Sequence, residues 1–225
     1  ETGDQTFHAI HVDAAEKIAD ISLKLDIKRF VHVSAIGASE HSVASYSRTK
    51  SEGEAAARDK YPDITIVRPS IIFGPEDNFF NLFAWLATIS PFLPLPGKGQ
   101  TLFQPVYVGD VAGGIEKILK EKSAVGRIYE FGGPEIFNFR ELMQIVLEIT
   151  GRKRLLLPTP FNAMKLSAIL LSLLPRPLFT KDQVKMLTTD NIVHENTLGF
   201  SDLNINPTPM EAVLSTYLHR YRRHG

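Results

Sequence analysis

The first seventy residues alternate between two hydrophobic periods, and that alternation leaves few folds open. Phe7, Ile10, Ala14, Ile18, Ile21 and Leu25 recur at spacings of three and four, which reads as a helix over Thr6–Leu25. Arg29–Ala35 (RFVHVSA) is a short β-rich run and reads as a buried strand. A loop over Ile36–Ser45 precedes a second helical segment, Tyr46–Lys60, rich in Ala, Glu and Lys and broken at Pro62-Asp63. Ile64–Arg68 (ITIVR) is the next strand, stopped by Pro69. Helices placed between successive strands predict a parallel α/β sheet, because parallel neighbours need a long crossover.

The second half is less regular. Asn78–Ile89 reads as a helix. Ser90–Gln104, with Pro91, Pro94, Pro96, Gly97 and Gly99, reads as loop or turn. Residues 106–108 form a short extended piece, and Asp110 is placed to cap a helix running to about Lys120. Arg127–Phe131 (RIYEF) is a third strand, ended by Gly132-Gly133-Pro134. Asn138 with Glu141, Thr180 with Gln183, and Thr208 with Glu211 have capping-box spacing. Gly151 is placed to end one of these helices, and Pro209 to open the last. The expected organisation is a parallel α/β sheet domain from 1–75 and 105–135, with a smaller, mostly helical lobe from 76–104 and 136–225. Three strands with one side unsupplied, and a first residue that is Glu1, lead to the expectation that an N-terminal part of the fold lies outside this sequence.

Charge and composition exclude several classes. Lys+Arg and Asp+Glu both total 25 in 225 residues, so the basic excess of a nucleic-acid binder is missing. With no cysteine there is no thiolate nucleophile, disulfide or Cys-ligated zinc. The histidines are scattered, so no metal site is expected. His32 reads as a strand residue on one face, and Glu76-Asp77 as a solvated loop pair.

One constellation carries chemistry. Tyr46-Ser47-Arg48-Thr49-Lys50 is a YxxxK, and positions i and i+4 share one helix face. A lysine ammonium there is expected to lower the Tyr46 pKa and make the phenol a general acid/base toward a carbonyl or alcohol. Ser34 stands at the C-terminal end of a strand, where open α/β sheets bind ligands. Its hydroxyl is placed to hydrogen-bond the reacting oxygen.

RFVHVSAIGA, YSRTKSEGEAAAR and IVRPSIIFGPEDNFF, in that order, resemble the extended and atypical short-chain dehydrogenase/reductase superfamily, NAD-dependent epimerases and dehydratases included. RPSIIFGPEDNFFNLFA, FQPVYVGDVA and YEFGGPEIFNFRELM narrow the resemblance to the 39 kDa (alpha-9) accessory subunits of respiratory complex I and their bacterial relatives. The resemblance implies a Rossmann-like, doubly wound sheet and the catalytic set Ser34, Tyr46 and Lys50. It implies a nicotinamide cofactor, NADP(H) in preference to NAD(H), contacted by Ala35, Lys50, Pro69 and Ser70, with Ile36 lining the same crevice. It further implies complex I subunits as partners, and a place in the bacterial cytoplasm at the inner-membrane face or in the mitochondrial matrix. The function expected is an accessory or assembly subunit, the alternative an active reductase or sugar-nucleotide epimerase/dehydratase. One departure stands out: none of the 15 glycines makes the Gly-rich phosphate loop between a first strand and first helix.

The stretch 161–174 (FNAMKLSAILLSLL) is strongly apolar but too short to span a bilayer. Arg152-Lys153-Arg154 precede it and Arg176 follows. Such a segment reads as a core helix, or as a surface helix for a membrane or a partner subunit.

Overall fold

A computed structural model describes residues 6–162, 164 and 180–222. Two compact units emerge. The first comprises 1–70, 109–132 and 193–206, and the second 71–108, 133–192 and 207–225. Residues 193–206, counted with the C-terminal lobe in the sequence reading, pack in the first unit. The reason is a backbone bridge: the Glu130 amide donates to the Leu198 carbonyl at 2.8 Å, beside the Tyr129–Leu198 β-bridge.

In the first unit a π-helical turn, Ala9–Asp13, runs into helix α1 (Ala14–Lys24). Strand β1 (Val31–Val33), helix α2 (Ser45–Lys60) and strand β2 (Thr65–Pro69) follow. The sheet is completed by strand β7 (Ile128–Phe131), after helix α4 (Val108–Lys120). All three strands are parallel, in the order β1-β2-β7, with Val31 opposite Thr65 and Ile66 opposite Ile128. Ala15, Ala19, Ala57, Tyr61, Ile64 and Ile66 form the core between α1, α2 and the sheet. Alanines there allow the two helices to sit close together. The larger residues that carry the α1 periodicity are not the buried ones: Ile18 and Ile21 are each 54% exposed and Leu25 is 69% exposed.

The second unit is built differently. It holds β3 (Ile72–Phe73) paired with β6 (Val106–Tyr107), β4 (Phe92–Pro96) with β9 (Leu155–Thr159), and β5 (Leu102–Phe103) with β8 (Phe137–Asn138). Helices α3 (Phe79–Ile89), α5 (Phe139–Ile149), α6 (Lys181–Met186) and α7 (Met210–Leu218) surround them. The core is aromatic: Phe79 lies 5.0 Å from Phe80, 5.2 Å from Phe83 and 6.0 Å from Phe139 between ring centroids.

Several boundaries differ from the sequence reading. The Pro-rich run 90–104, expected as loop, contains β4 and β5. The Leu155 amide donates to the Pro91 carbonyl, so residues 91, 93 and 95 face the partner strand. Pro94 and Pro96 therefore lie on the edge that needs no donor. Asp110 lies within the first turn of α4 rather than before it, and Pro209 stands one residue ahead of α7. The boxes at Asn138–Glu141 and Thr180–Gln183 are complete. Gly151, at φ +62°, ends α5 with its amide on Glu148 and the Arg152 amide on Leu147. Apart from Phe161, Asn162 and Met164, the apolar stretch 161–174 lies outside the described residues.

Candidate functional site

The strand ends of the first unit assemble the site. Beyond β1 and β2 the parallel ladder continues: the Ser34 amide donates to Val67 at 2.7 Å, Ile36 to Pro69 at 3.0 Å and Ser70 to Phe131 at 2.8 Å. Ser34, Ala35, Pro69 and Ser70 thus share the carboxyl edge of one sheet, where ligands bind in open α/β folds. Ser34 and Ser70 are both buried. The Ser34 Oγ has no hydrogen-bond partner, and neither does the buried Nε2 of His32. A buried, unsatisfied hydroxyl at a strand end is polar capacity kept for something else.

Tyr46 and Lys50 lie on one face of α2, with Glu54 one turn further on. The Lys50 ammonium sits over the Tyr46 ring, 5.9 Å from its centroid, and its Nζ donates to the Val33 carbonyl at 3.2 Å. That ties the α2 lysine to β1. Burial pushes the Lys50 pKa down, against the opposing pull of Glu54.

Tyr46 departs from expectation. Its pKa is raised, and burial is the cause. The phenol is packed against the aromatic edges of Phe7 at 5.9 Å and His11 at 5.3 Å. The lysine meets the ring face of Tyr46, and desolvation of the phenolate outweighs any help from the ammonium.

His11 was not singled out in the sequence, yet it belongs to the site. The π-helical turn carries it, and π-turns recur at functional positions. Its Nδ1 lies 2.8 Å from the Thr49 Oγ1, whose own proton is directed at the Ser45 carbonyl at 2.9 Å. That network assigns the donor role to His11 Nδ1. Its pKa is lowered, first by burial and then by Lys50 and His32. The close approach depends on Gly53: a Cβ there would stand 1.9 Å from the His11 carbonyl oxygen. A glycine seven residues after the tyrosine was the available sequence signal.

Behind the site runs a charged chain. Arg68 makes a bidentate pair with Glu54, at 2.9 Å and 2.6 Å, and lies 3.7 Å from Glu130. The Glu130 carboxylate, itself buried, accepts from the His194 backbone amide at 2.9 Å and faces His194 Nδ1. Arg68 is therefore a structural cation, joining the Tyr–Lys helix to the middle strand and to β7. In the second unit, Asp77 is a helix cap rather than a solvated acid. It accepts the Phe80 amide at 2.6 Å and the Tyr217 hydroxyl at 2.5 Å. Among the described residues no His/Asp/Glu cluster fits a metal ion, and no helix is long and apolar enough to cross a membrane.

The residues present suit one end of a nicotinamide nucleotide. Lys50 and the unsatisfied Ser34 hydroxyl offer donors beside the strand ends, while no glycine-rich turn in this sequence answers the pyrophosphate.

No protein-family model matches the chain. The mitochondrial NADH dehydrogenase [ubiquinone] 1 alpha subcomplex subunit 9 of Dictyostelium discoideum is 36% identical over 225 residues, spanning 99% of this chain and 62% of that protein. The mouse subunit 9 is 34% identical over 227 residues, spanning 99% of this chain and 59% of its own length. The chain thus spans about three fifths of these relatives. Among solved structures, dTDP-glucose 4,6-dehydratase from Streptomyces venezuelae, with NAD and TYD bound, superposes with a TM-score of 0.72 at 20% identity, over 99% of this chain and 68% of that one. The chain is a homologue of the complex I alpha-9 subunits, built on the Rossmann-like fold of the short-chain dehydrogenase/reductase epimerases and dehydratases.

Proposed function

We propose that this chain carries the Tyr–Lys site of a nicotinamide-nucleotide-binding accessory subunit of respiratory complex I, which holds its nucleotide as a structural element. The observation that carries this reading is the 36% identity to an alpha-9 subunit over 99% of the chain. The state of the pair supports it. A tyrosine whose pKa is raised is a poor proton carrier near neutral pH, whereas a lysine tied to β1 is well placed to hold a ribose. Ala35, Lys50, Pro69 and Ser70 are the residues assigned to the nucleotide, NADP(H) in preference to NAD(H). The setting is the matrix side, or the bacterial cytoplasmic side, of the membrane that carries complex I.

A second reading, an active reductase or sugar-nucleotide epimerase/dehydratase, draws on the free Ser34 hydroxyl beside the intact Tyr46 and Lys50. There Lys50 would hold a nucleotide able to supply hydride chemistry, Ser34 would orient the carbonyl and Tyr46 would carry the proton. Native mass spectrometry of the purified protein, with Tyr46→Phe and Lys50→Met beside it, separates the two. The structural reading expects a dinucleotide of NADP mass that Tyr46→Phe retains and Lys50→Met loses, without turnover in either. Oxidation of NADPH on a carbonyl substrate that Tyr46→Phe abolishes would establish the enzyme instead.

A further inference from the structure

Helix α1 turns its large apolar side chains away from the protein. Ala15 and Ala19 face the core, while Ile18, Ile21 and Leu25 are exposed. At about 100° per residue, Ala14, Ile18, Ile21 and Leu25 fall in one strip about 60° wide along the outer side of the helix. Ile10, in the π-helical turn that leads into α1, is exposed as well. Bulky aliphatic side chains gathered on one exposed stripe mark an interaction surface.

The charges beside the stripe decide what fits it. Asp13, Lys17, Asp20 and Lys24 fall in a second strip about 60° wide, along one flank of the first. Their signs alternate. Asp20 and Lys24 pair along the helix at 2.6 Å, Asp13 lies 3.3 Å from His8, and Lys17 joins no ion pair among the described residues. Asp13 and Lys24 are equally far from a point between Ile18 and Ala19, and so are Lys17 and Asp20. A two-fold axis through that point, at right angles to the helix, lays a second α1 alongside in the opposite direction and keeps like flank on like flank. Asp13 then meets Lys24 of the second copy, Lys17 meets Asp20 of the second copy, and symmetry repeats both pairs. A parallel pairing in register would set each charge against its own like.

We infer that the outer face of α1 seats the same helix of a second copy of this chain, antiparallel, with the two-fold axis beside Ile18. Ile18, Ile21 and Leu25 interleave with their counterparts, and the alternating charges close one edge of the seam. A second copy fits better than a partner of single charge, because one row of residues supplies both halves of every pair. This inference goes beyond the nucleotide reading and does not rest on it.

Sedimentation velocity over a range of protein concentrations tests it, together with mild oxidation of single-cysteine variants, which the cysteine-free sequence makes clean. The expected result is a monomer–dimer equilibrium. Ile18→Cys sets the two thiols about 1.5 Å apart along the helix axis, and is expected to form a disulfide-linked dimer. Leu25→Cys sets them about 20 Å apart, and is expected to stay unlinked. Ile21→Ser is expected to weaken association about a hundredfold, since each dimer loses two buried isoleucines. Lys17→Glu is expected to weaken it about fivefold, and Lys17→Glu combined with Asp20→Lys to restore it. All these side chains lie on the outer side of α1, and an unchanged circular dichroism spectrum shows that each variant keeps the fold. A monomer at every concentration, a disulfide in Leu25→Cys as ready as in Ile18→Cys, or a double variant that associates no better than Lys17→Glu would each overturn the inference.

Discussion

The two units bury different things. Among the described residues, Ser34, Ser47, Glu54, Thr65, Ser70 and Glu130 are buried polar groups of the first unit, and Thr150 is the one such group in the second. The second unit instead packs phenylalanines edge to face around Phe79 and Phe139. The difference teaches where specificity and where bulk stability reside. A buried polar network is intolerant, since losing one member strands the others in low dielectric. An aromatic core resists change more evenly, because its attraction is non-directional and spread over many contacts.

The sharpest way to break this contrast is Arg68→Leu. It leaves the buried Glu54 and Glu130 carboxylates without their shared cation, and is expected to cost about 3–5 kcal/mol. Urea denaturation reads the loss, and a change below about 1 kcal/mol would mean that the network is solvated or dispensable. Phe139→Leu in the second unit is the matched apolar change. It keeps most of the volume and is expected to cost under about 1.5 kcal/mol by the same measurement. If Phe139→Leu proved the more damaging of the two, the contrast would be reversed.

A smaller effect follows pH. His11 and His32 both have pKa values lowered from 6.5, chiefly by burial. The unfolded chain then binds more protons than the folded one between the two values. Their contribution is full above pH 6.5 and is lost as pH falls through the lower, folded values. Denaturation midpoints should therefore drop from pH 7 toward pH 5, and His32→Phe should flatten that slope. An unchanged slope in the variant would remove His32 from this account.

Much of the architecture was legible in the sequence because it is local. The alternation of a 3.6-residue period with short β-rich runs marks crossovers, and all three sheet strands lie where RFVHVSA, ITIVR and RIYEF stand. Asn138-x-x-Glu141 and Gly151 fix the two ends of α5 through bonds that span only a few residues. The Tyr46–Lys50 spacing placed both side chains on one helix face in the same way. β4 escaped notice because its prolines signalled a turn, and only a partner sixty residues away shows that they occupy the edge that needs no donor.

What the sequence by itself determined, then, is the set of elements and the i, i+4 pairing of the site, since both follow from backbone periods. The tertiary structure alone decided the electrostatics. Burial of Tyr46 against Phe7 and His11, the placing of Lys50 on the ring face and on the Val33 carbonyl, and the Arg68–Glu54–Glu130 chain join residues far apart in sequence. A spacing rule counts a lysine as a neighbouring charge. Whether that charge or the loss of water governs the phenol depends on what packs around it, and here the packing comes from the π-helical turn at His11 seated on Gly53.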